Sequence, residues 1–192
     1  LVLLGTAQAR ASTLLVLGDS ISAAYGMSLE EGWVALLARQ LGEREPPVTV
    51  VNASISGETT AGALRRLPAL LDQHQPQLVL IELGGNDGLR GFPINRLRDN
   101  LTALATQSTD AGASVVLLPM EIPPNYGARY TESFRASFPK VAEATGSALA
   151  PFILQDVATD PTLMQPDGIH PTRDAQPLLL EAVLPFIEEA LQ

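Results

Sequence analysis

The 192-residue chain contains no cysteine, which excludes disulfide bonds, thiolate nucleophiles and cysteine-based zinc sites. Positive charge is scarce, since 12 Lys and Arg stand against 21 Asp and Glu, and the net charge of −9 makes a nucleic-acid partner unexpected. No apolar run approaches the roughly 20 residues of a membrane-spanning helix, so stable membrane insertion is not expected either. Aromatic residues make up only 5%, which is weak evidence against a site that stacks sugar rings.

What the chain does contain predicts one globular domain over residues 12–192. Hydrophobic residues make up 46% and charged residues 17%, and the length suits a single sizeable core. The preceding residues 1–11 start with an apolar run and contain small residues, at Ala7, Ala9 and Ala11, in the pattern of a signal-peptidase site. We expect this segment to be the remnant of a secretory signal and the protein to be periplasmic or secreted. The alternative is an ordinary apolar N-terminal extension.

Short apolar runs alternate with amphipathic stretches along the chain. Strands are predicted at residues 14–17, 48–51, 78–83, 115–118 and 148–153. Helices are predicted at residues 33–41, 59–71, 97–111, 133–144 and 175–191. Because the strand runs are continuously apolar, they suit a parallel sheet that helices cover on both faces. Pro177 and Pro185 lie within the last helix, which is therefore expected to start late, to kink or to split.

Polar residues that suggest chemistry follow several of these predicted strands. Ser20 comes after the first, Gly57 after the second, Asn86 after the third, and Asp167 and His170 after the fifth. In open α/β sheets, ligands bind beyond the carboxyl ends of the strands. We therefore expect all five residues at the same edge of the sheet.

Ser20 lies in the segment Gly18-Asp19-Ser20. A serine at a strand-to-helix turn exposes its hydroxyl beside the backbone N–H groups of a partly positive helix start. The same tripeptide is ordinary for a turn or a helix N-cap, so by itself it favours a structural role. Asp19 is expected to brace the turn by accepting hydrogen bonds from backbone N–H groups.

His170 is one of only two histidines, and Asp167 precedes it by three residues across a glycine. A carboxylate that turns back onto one imidazole nitrogen fixes the tautomer and leaves the other nitrogen free to accept a serine proton. The alternative is that His170 packs near a helix start and Asp167 is a turn residue. His74 lies in a polar stretch and is expected at the surface.

Asn86 follows two glycines at the end of the third predicted strand. Its amide can donate a hydrogen bond to a developing oxyanion, and the Gly57 N–H can do the same. The alternative is a plain glycine turn, which Asn and Asp also favour.

Four segments occur in this order along the chain: Gly18-Asp19-Ser20, Ser56-Gly57, Gly84-Gly85-Asn86-Asp87 and Asp167-Gly168-Ile169-His170. Together they resemble the four sequence blocks of the SGNH, or GDSL, hydrolases. Longer stretches at residues 51–57, 82–92, 124–127 and 167–176 resemble the bacterial periplasmic multifunctional acyl hydrolases, which are variously named thioesterase, lysophospholipase, protease and arylesterase. We therefore predict a three-layer α/β/α fold, with a flavodoxin-like five-stranded parallel sheet of strand order 2-1-3-4-5.

The resemblance implies a role for each site residue. Ser20 is the expected nucleophile, His170 the general base and then acid, and Asp167 the partner that orients His170. The oxyanion hole is expected from the backbone N–H groups of Ser20 and Gly57 and the side chain of Asn86. No metal or organic cofactor is required, and a monomer is expected.

The substrate is expected to be a small acyl compound. Apolar residues near the catalytic loops favour medium-to-long acyl esters and thioesters, including aryl esters and lysophospholipids, although several of these residues could simply belong to the core. The residues expected to bind substrate are Gly88, Leu89, Arg90, Phe92, Pro93, Ile122 and Tyr126. In the relatives, the loop equivalent to residues 88–93 moves when substrate binds. The alternatives are a carbohydrate O-acetylesterase and a non-catalytic lipid-binding module.

Overall fold

The computed structural model describes residues 12–192, so the predicted signal remnant at 1–11 lies outside the described residues. The strands are β1 (Ser12–Gly18), β2 (Val48–Asn52), β3 (Leu78–Glu82), β4 (Ser114–Leu117) and β5 (Ala148–Leu149). The helices are α1 (Trp33–Gly42), α2 (Thr60–His74), α3 (Gly85–Leu89), α4 (Ile94–Asp110), α5 (Ala128–Arg135), α6 (Ser137–Thr145) and α7 (Gln176–Ala190). Three short 3-10 segments lie at Leu29–Glu31, Pro124–Tyr126 and Arg173–Ala175.

The five strands form one parallel sheet in the order β2-β1-β3-β4-β5, which confirms the predicted strand order. Strands β1 and β3 lie side by side in the middle, and their last residues, Gly18 and Glu82, are paired. The strand order reverses direction between these two strands, and a crevice forms beyond their carboxyl ends. This edge of the sheet receives the turn that carries Ser20.

Helices cover both faces of the sheet, which confirms the predicted three-layer arrangement. One layer contains α2, α4 and α6, which contact one another in sequence, and the other contains α1 and α7. Strand β3 is buried along its whole length because it has helices on both sides and a strand at each edge. Strand β2 is only partly buried because it forms an edge of the sheet.

Several predicted boundaries were wrong for identifiable reasons. The predicted helix at 133–144 is two helices, α5 and α6, because Pro139 lacks the N–H that a continuous helix would need there. The predicted strand at 148–153 ends at Leu149, since Pro151 cannot donate to a sheet ladder. Helix α3 was not predicted at all. The last helix starts late, one of the three expected outcomes: α7 begins at Gln176, so Pro177 lies in the first turn, where its missing N–H has no partner to lose. It does not split at Pro185, which lies inside α7.

None of the helices in residues 12–192 combines the length and apolar character that crossing a membrane requires.

Candidate active site

Three of the predicted residues form a continuous chain of hydrogen bonds. The hydroxyl oxygen of Ser20 lies 2.9 Å from Nε2 of His170. On the other side of the ring, Nδ1 of His170 lies 2.7 Å from Oδ2 of Asp167. Ser20 comes from the turn after β1, whereas the other two come from the loop that precedes α7. Folding therefore brings together groups separated by 150 positions in the sequence.

The turn from Asp167 to His170 holds the carboxylate against the imidazole. Oδ1 of Asp167 accepts hydrogen bonds from the backbone N–H groups of Ile169 (2.9 Å) and His170 (3.0 Å). These bonds favour the ionised form, and the pKa of Asp167 falls to about 2, with the His170 backbone N–H as the largest cause and the His170 ring next. An ionised Asp167 accepts the proton on Nδ1, which leaves the lone pair of Nε2 directed at Ser20.

The candidate oxyanion donors are available for a ligand. Among residues 12–192, neither the Ser20 N–H nor the Gly57 N–H donates a hydrogen bond to another protein group. The side-chain amide of Asn86 donates to Oδ2 of Asp19 at 3.1 Å. Because an amide nitrogen carries two protons, one N–H of Asn86 remains free. The contact with Asp19 fixes the direction of that free N–H.

Asn86 owes its position to Gly84. Gly84 precedes α3 with a φ of 113°, a left-handed conformation that residues with a Cβ atom rarely adopt. A Cβ at this position would also meet side-chain atoms of Leu97 and Phe138 at 3.1 and 3.2 Å. The sharp turn at Gly84 starts a new helix immediately, so Asn86 lies in the first turn of α3 and not in the plain glycine turn that the sequence left open as an alternative.

Asp87, next to Asn86, has a structural role. Its carboxylate is buried and accepts hydrogen bonds from the backbone N–H and the hydroxyl of Thr60, at 2.9 and 2.6 Å. Thr60 is the first residue of α2, where backbone N–H groups favour a negative partner. The contact ties the start of α2 to α3 and so stabilises the element that carries Asn86.

A second carboxyl group lies beneath the Ser20 turn. Glu82, at the end of β3, is fully buried, and its Oε2 accepts hydrogen bonds from the Ser22 hydroxyl (2.7 Å) and from the Asp19 N–H (3.3 Å). Burial, followed by the neighbouring charge of Asp19, raises the pKa of Glu82 well above its ordinary value. Burial also raises the pKa of Asp19, whereas hydrogen bonds from Ile21 and Asn86 oppose that rise.

Ser20, Asn86 and His170 open into one cleft of about 470 Å³. This volume falls within the range of small-molecule sites, roughly 300–1,000 Å³. The side chains that line it are mainly apolar: Ile21, Leu89, Met120, Ile122, Pro123, Pro124, Phe152, Leu154, Ala158, Met164 and Ile169. Glu121 is a charged member of the lining, and it forms an ion pair with Arg135 at 3.2 Å.

Only two of the residues expected to bind substrate, Leu89 and Ile122, are among those that line the cleft. The other five residues are not part of the cleft lining and make other contacts. The guanidinium of Arg90 donates to the Gly57 carbonyl at 3.1 Å, and the hydroxyl of Tyr126 donates to the Leu89 carbonyl at 2.8 Å. Gly88 is buried, and a Cβ there would meet Ile122 at 2.6 Å. The ring of Phe92 packs under Arg96, and Pro93 caps α4.

Sequence reasoning missed two residues beside the site. Glu82 carried a signal, because a charged residue within an otherwise apolar strand needs a partner or a proton. Tyr25 carried none: its ring lies 4.1 Å from the His170 ring, centroid to centroid, but nothing in the sequence connects the two. His74, expected at the surface, is the last residue of α2 and is half-buried.

Within the part of the chain that the structure describes, no three His, Cys, Asp or Glu side chains are grouped as the ligands of a metal ion would be.

Comparisons with known proteins agree on one family. The model of the GDSL-like lipase/acylhydrolase family matches residues 16–176. The chain is 53% identical to the esterase TesA of Pseudomonas aeruginosa, over 100% of this chain and 94% of that protein. It is 49% identical to the thioesterase 1/protease 1/lysophospholipase L1 of Escherichia coli K12, over 94% of this chain and 86% of that protein. A crystal structure of the psychrotrophic esterase EstA from Pseudoalteromonas sp., inhibited by monoethylphosphonate, is 49% identical and superposes with a TM-score of 0.90, covering 94% and 98% of the two chains.

Proposed function

The chain belongs to the GDSL-like lipase/acylhydrolase family, and from that premise we propose that it is a serine hydrolase of carboxylic esters and thioesters with medium-to-long acyl chains. We propose aryl esters, acyl thioesters and lysophospholipids as its substrates. The observation that carries the proposal is the hydrogen-bonded chain from Ser20 through His170 to Asp167 at the mouth of a mainly apolar cleft. We propose that residues 12–192 act as a single hydrolase domain.

The first half of the reaction forms an acyl-enzyme. The Ser20 oxygen bonds to the acyl carbon as its proton passes to Nε2 of His170, and the carbonyl oxygen becomes an oxyanion. The bond from the acyl carbon to the alcohol or thiol then breaks, and His170 gives its proton to that leaving group. Asp167 stays ionised throughout and stabilises the imidazolium, in line with its lowered pKa.

The second half releases the acid. A water molecule attacks the acyl carbon and passes its proton to His170, and the Ser20 oxygen leaves and recovers that proton. The step returns the enzyme to its starting protonation state. We propose that the same donors hold the oxyanion in both halves: the N–H groups of Ser20 and Gly57 and the free N–H of Asn86.

Replacing Asn86 by alanine should lower kcat about 10²- to 10³-fold for a p-nitrophenyl ester, because a preorganised donor to the oxyanion is lost. KM should change far less, since the donor acts mainly on the charge that develops in the transition state. Asn95→Ala, an exposed asparagine in the first turn of α4, is the matched control and should keep the wild-type rate. An Asn86→Ala enzyme with kcat within threefold of wild type would remove Asn86 from the oxyanion hole.

The apolar lining favours a long acyl chain over an acetyl group, and a series of p-nitrophenyl esters of increasing chain length tests this. Each buried CH₂ group contributes about 0.8 kcal/mol, so kcat/KM should rise about 10²-fold from acetyl to hexanoyl and level off once the chain outgrows the cleft. A lysophospholipid should also be cleaved. Highest activity on the acetyl ester, together with release of acetate from acetyl-xylan, would instead favour the carbohydrate O-acetylesterase.

A non-catalytic lipid-binding module would bind the same acyl chains without turnover. Retention of Ser20, His170 and Asn86 in hydrogen-bonding positions favours the enzyme. Binding of a lysophospholipid with no release of fatty acid would reverse that preference.

We further propose that the protein acts as a monomer in the periplasm or as a secreted enzyme. The location rests on the apolar start and the small-residue pattern of residues 1–11. In that setting, esters and lysolipids are more plausible substrates than acyl-CoA thioesters.

A further inference from the structure

Tyr25 connects the two segments that supply the nucleophile and the base. Its backbone N–H donates to the Ser20 carbonyl at 3.1 Å, which closes the turn after β1. Its own carbonyl accepts a hydrogen bond of 2.8 Å from the side-chain amide of Gln165, in the loop that carries His170. The same Gln165 nitrogen lies 3.0 Å from the Pro171 carbonyl. The backbone of Tyr25 is therefore tied to both sides of the catalytic hydrogen bond.

Gln165 is itself held firmly to the histidine loop. Its backbone N–H donates to the His170 carbonyl at 2.7 Å, and the neighbouring residues Met164 and Pro171 form an antiparallel bridge. Gly26 leaves room for the Gln165 amide, since a Cβ at this position would lie 2.5 Å from its oxygen. Movement of Tyr25 is thus coupled to the loop that positions the imidazole.

The ring of Tyr25 lies over the ring of His170. The centroids are 4.1 Å apart and the planes differ by 29°, which is a stacked arrangement. Tyr25 is 48% exposed, so the contact is not explained by burial in the core. The preceding residue, Ala24, adopts a left-handed backbone with a φ of 55°, a conformation that residues other than glycine seldom adopt. The turn is thus held in an unusual conformation that directs the ring at His170.

We propose that Tyr25 is a positioning residue for the hydrolysis, acting through His170. The stacked ring keeps the imidazole in the rotamer that points Nε2 at Ser20. Its electron-rich face also stabilises the positive charge that the imidazole gains when it takes the serine proton. The inference rests on the proposed function of Ser20 and His170, and it adds a fourth side chain to the three of the hydrogen-bonded chain.

The test compares Tyr25→Leu, which removes the aromatic face but keeps an apolar side chain, with Tyr25→Phe, which keeps the face and removes only the hydroxyl. For p-nitrophenyl hexanoate, Tyr25→Leu should lower kcat about tenfold, because the imidazole loses both the stacked cation contact and the ring that holds its rotamer, with KM within twofold of wild type. Tyr25→Phe should keep kcat within twofold. In Tyr25→Leu the acid limb of kcat/KM should also move to lower pH by about half a unit, because the protonated ring loses its stabilising partner.

Three outcomes would overturn the role of Tyr25. They are an unchanged kcat and pH profile in Tyr25→Leu, an equal loss in Tyr25→Phe, or a raised KM with unchanged kcat, which would make Tyr25 a substrate contact. The melting temperatures of both variants show whether a lower kcat reflects a destabilised fold. A shift of the acid limb of kcat/KM indicates a specific effect on His170, which a general loss of stability would not produce. If the wild-type protein hydrolyses no ester, the proposed function is wrong. If the wild-type protein is active and Tyr25→Leu has the same kcat and pH profile, only the inference on Tyr25 is wrong.

Discussion

Replacing Ser20 by alanine is expected to lower kcat for p-nitrophenyl esters about 10⁶-fold, the scale of loss seen when a hydrolase loses its serine nucleophile. Without the hydroxyl oxygen no acyl-enzyme can form, and the donors of the oxyanion hole can only assist direct attack by water. Among residues 12–192, the Ser20 hydroxyl hydrogen-bonds to one side chain, that of His170, at 2.9 Å, so the melting temperature should change little. Burst and steady-state kinetics with p-nitrophenyl hexanoate measure the loss.

Ser114→Ala is the matched control for this prediction. Ser114 begins β4 and is exposed, so it lies at the edge of the sheet opposite the cleft. Its replacement should leave kcat unchanged. Retention of more than about one hundredth of the wild-type kcat in Ser20→Ala would show that another group attacks the ester.

Replacing His170 by alanine is expected to cause a loss of similar size, about 10⁶-fold in kcat, because His170 is the group in the described part of the chain that is positioned to take the Ser20 proton. Asp167→Asn should cost less, about 10⁴-fold, since the base remains but loses the partner that fixes its tautomer. His74→Ala is the control: it removes the other histidine of the chain, at the end of α2, and should keep full activity.

The pH profile of activity distinguishes the ionisation of His170 from that of Asp167. The pKa of Asp167 is lowered to about 2, so its carboxyl stays ionised throughout an activity assay above about pH 4. The acid limb of wild-type kcat/KM should therefore report the imidazole of His170 and not the carboxyl of Asp167. A wild-type profile that stays flat down to pH 4 would contradict the role of His170 as base.

The central sheet was predictable because each strand is marked by a short apolar run in its own sequence. Residues 78–82 form a continuous apolar run ending in Glu82, and they became a strand buried on both faces. The ends of the helices and strands were harder to predict from the sequence. Strand β5 retains only two residues because Pro151 follows it closely, and α3 is too short and too rich in glycine to show helical periodicity.

The proposed catalytic residues could be assigned to one edge of the sheet from the sequence, since each follows a strand and parallel strands end on the same side. What the sequence could not supply was their contact. The 2.9 Å approach of Ser20 to His170 depends on how the loop before α7 folds back, and that loop contains no periodic signal. The same limit explains why Phe152 and Leu154, which line the cleft, were not anticipated.

Tyr25 shows the limit most clearly. Its position over His170 follows from a left-handed turn at Ala24 and from a side-chain amide 140 residues away, neither of which a propensity or a motif can predict. Glu82 is the opposite case: the sequence analysis did not single it out, although a carboxyl group inside an otherwise apolar strand could have identified it, and burial raises its pKa in the structure.

The most direct test of Ser20 as the attacking group, with His170 activating it, is covalent labelling by a p-nitrophenyl phosphonate, followed by mass analysis of the intact and digested protein. The crystal structure of EstA, a relative, is inhibited by monoethylphosphonate. The expected result is one phosphonyl group per chain, on the peptide that contains Ser20, absent from Ser20→Ala and formed at least about 10³-fold more slowly in His170→Ala. A label on any other residue, or labelling at the wild-type rate without His170, would contradict the account.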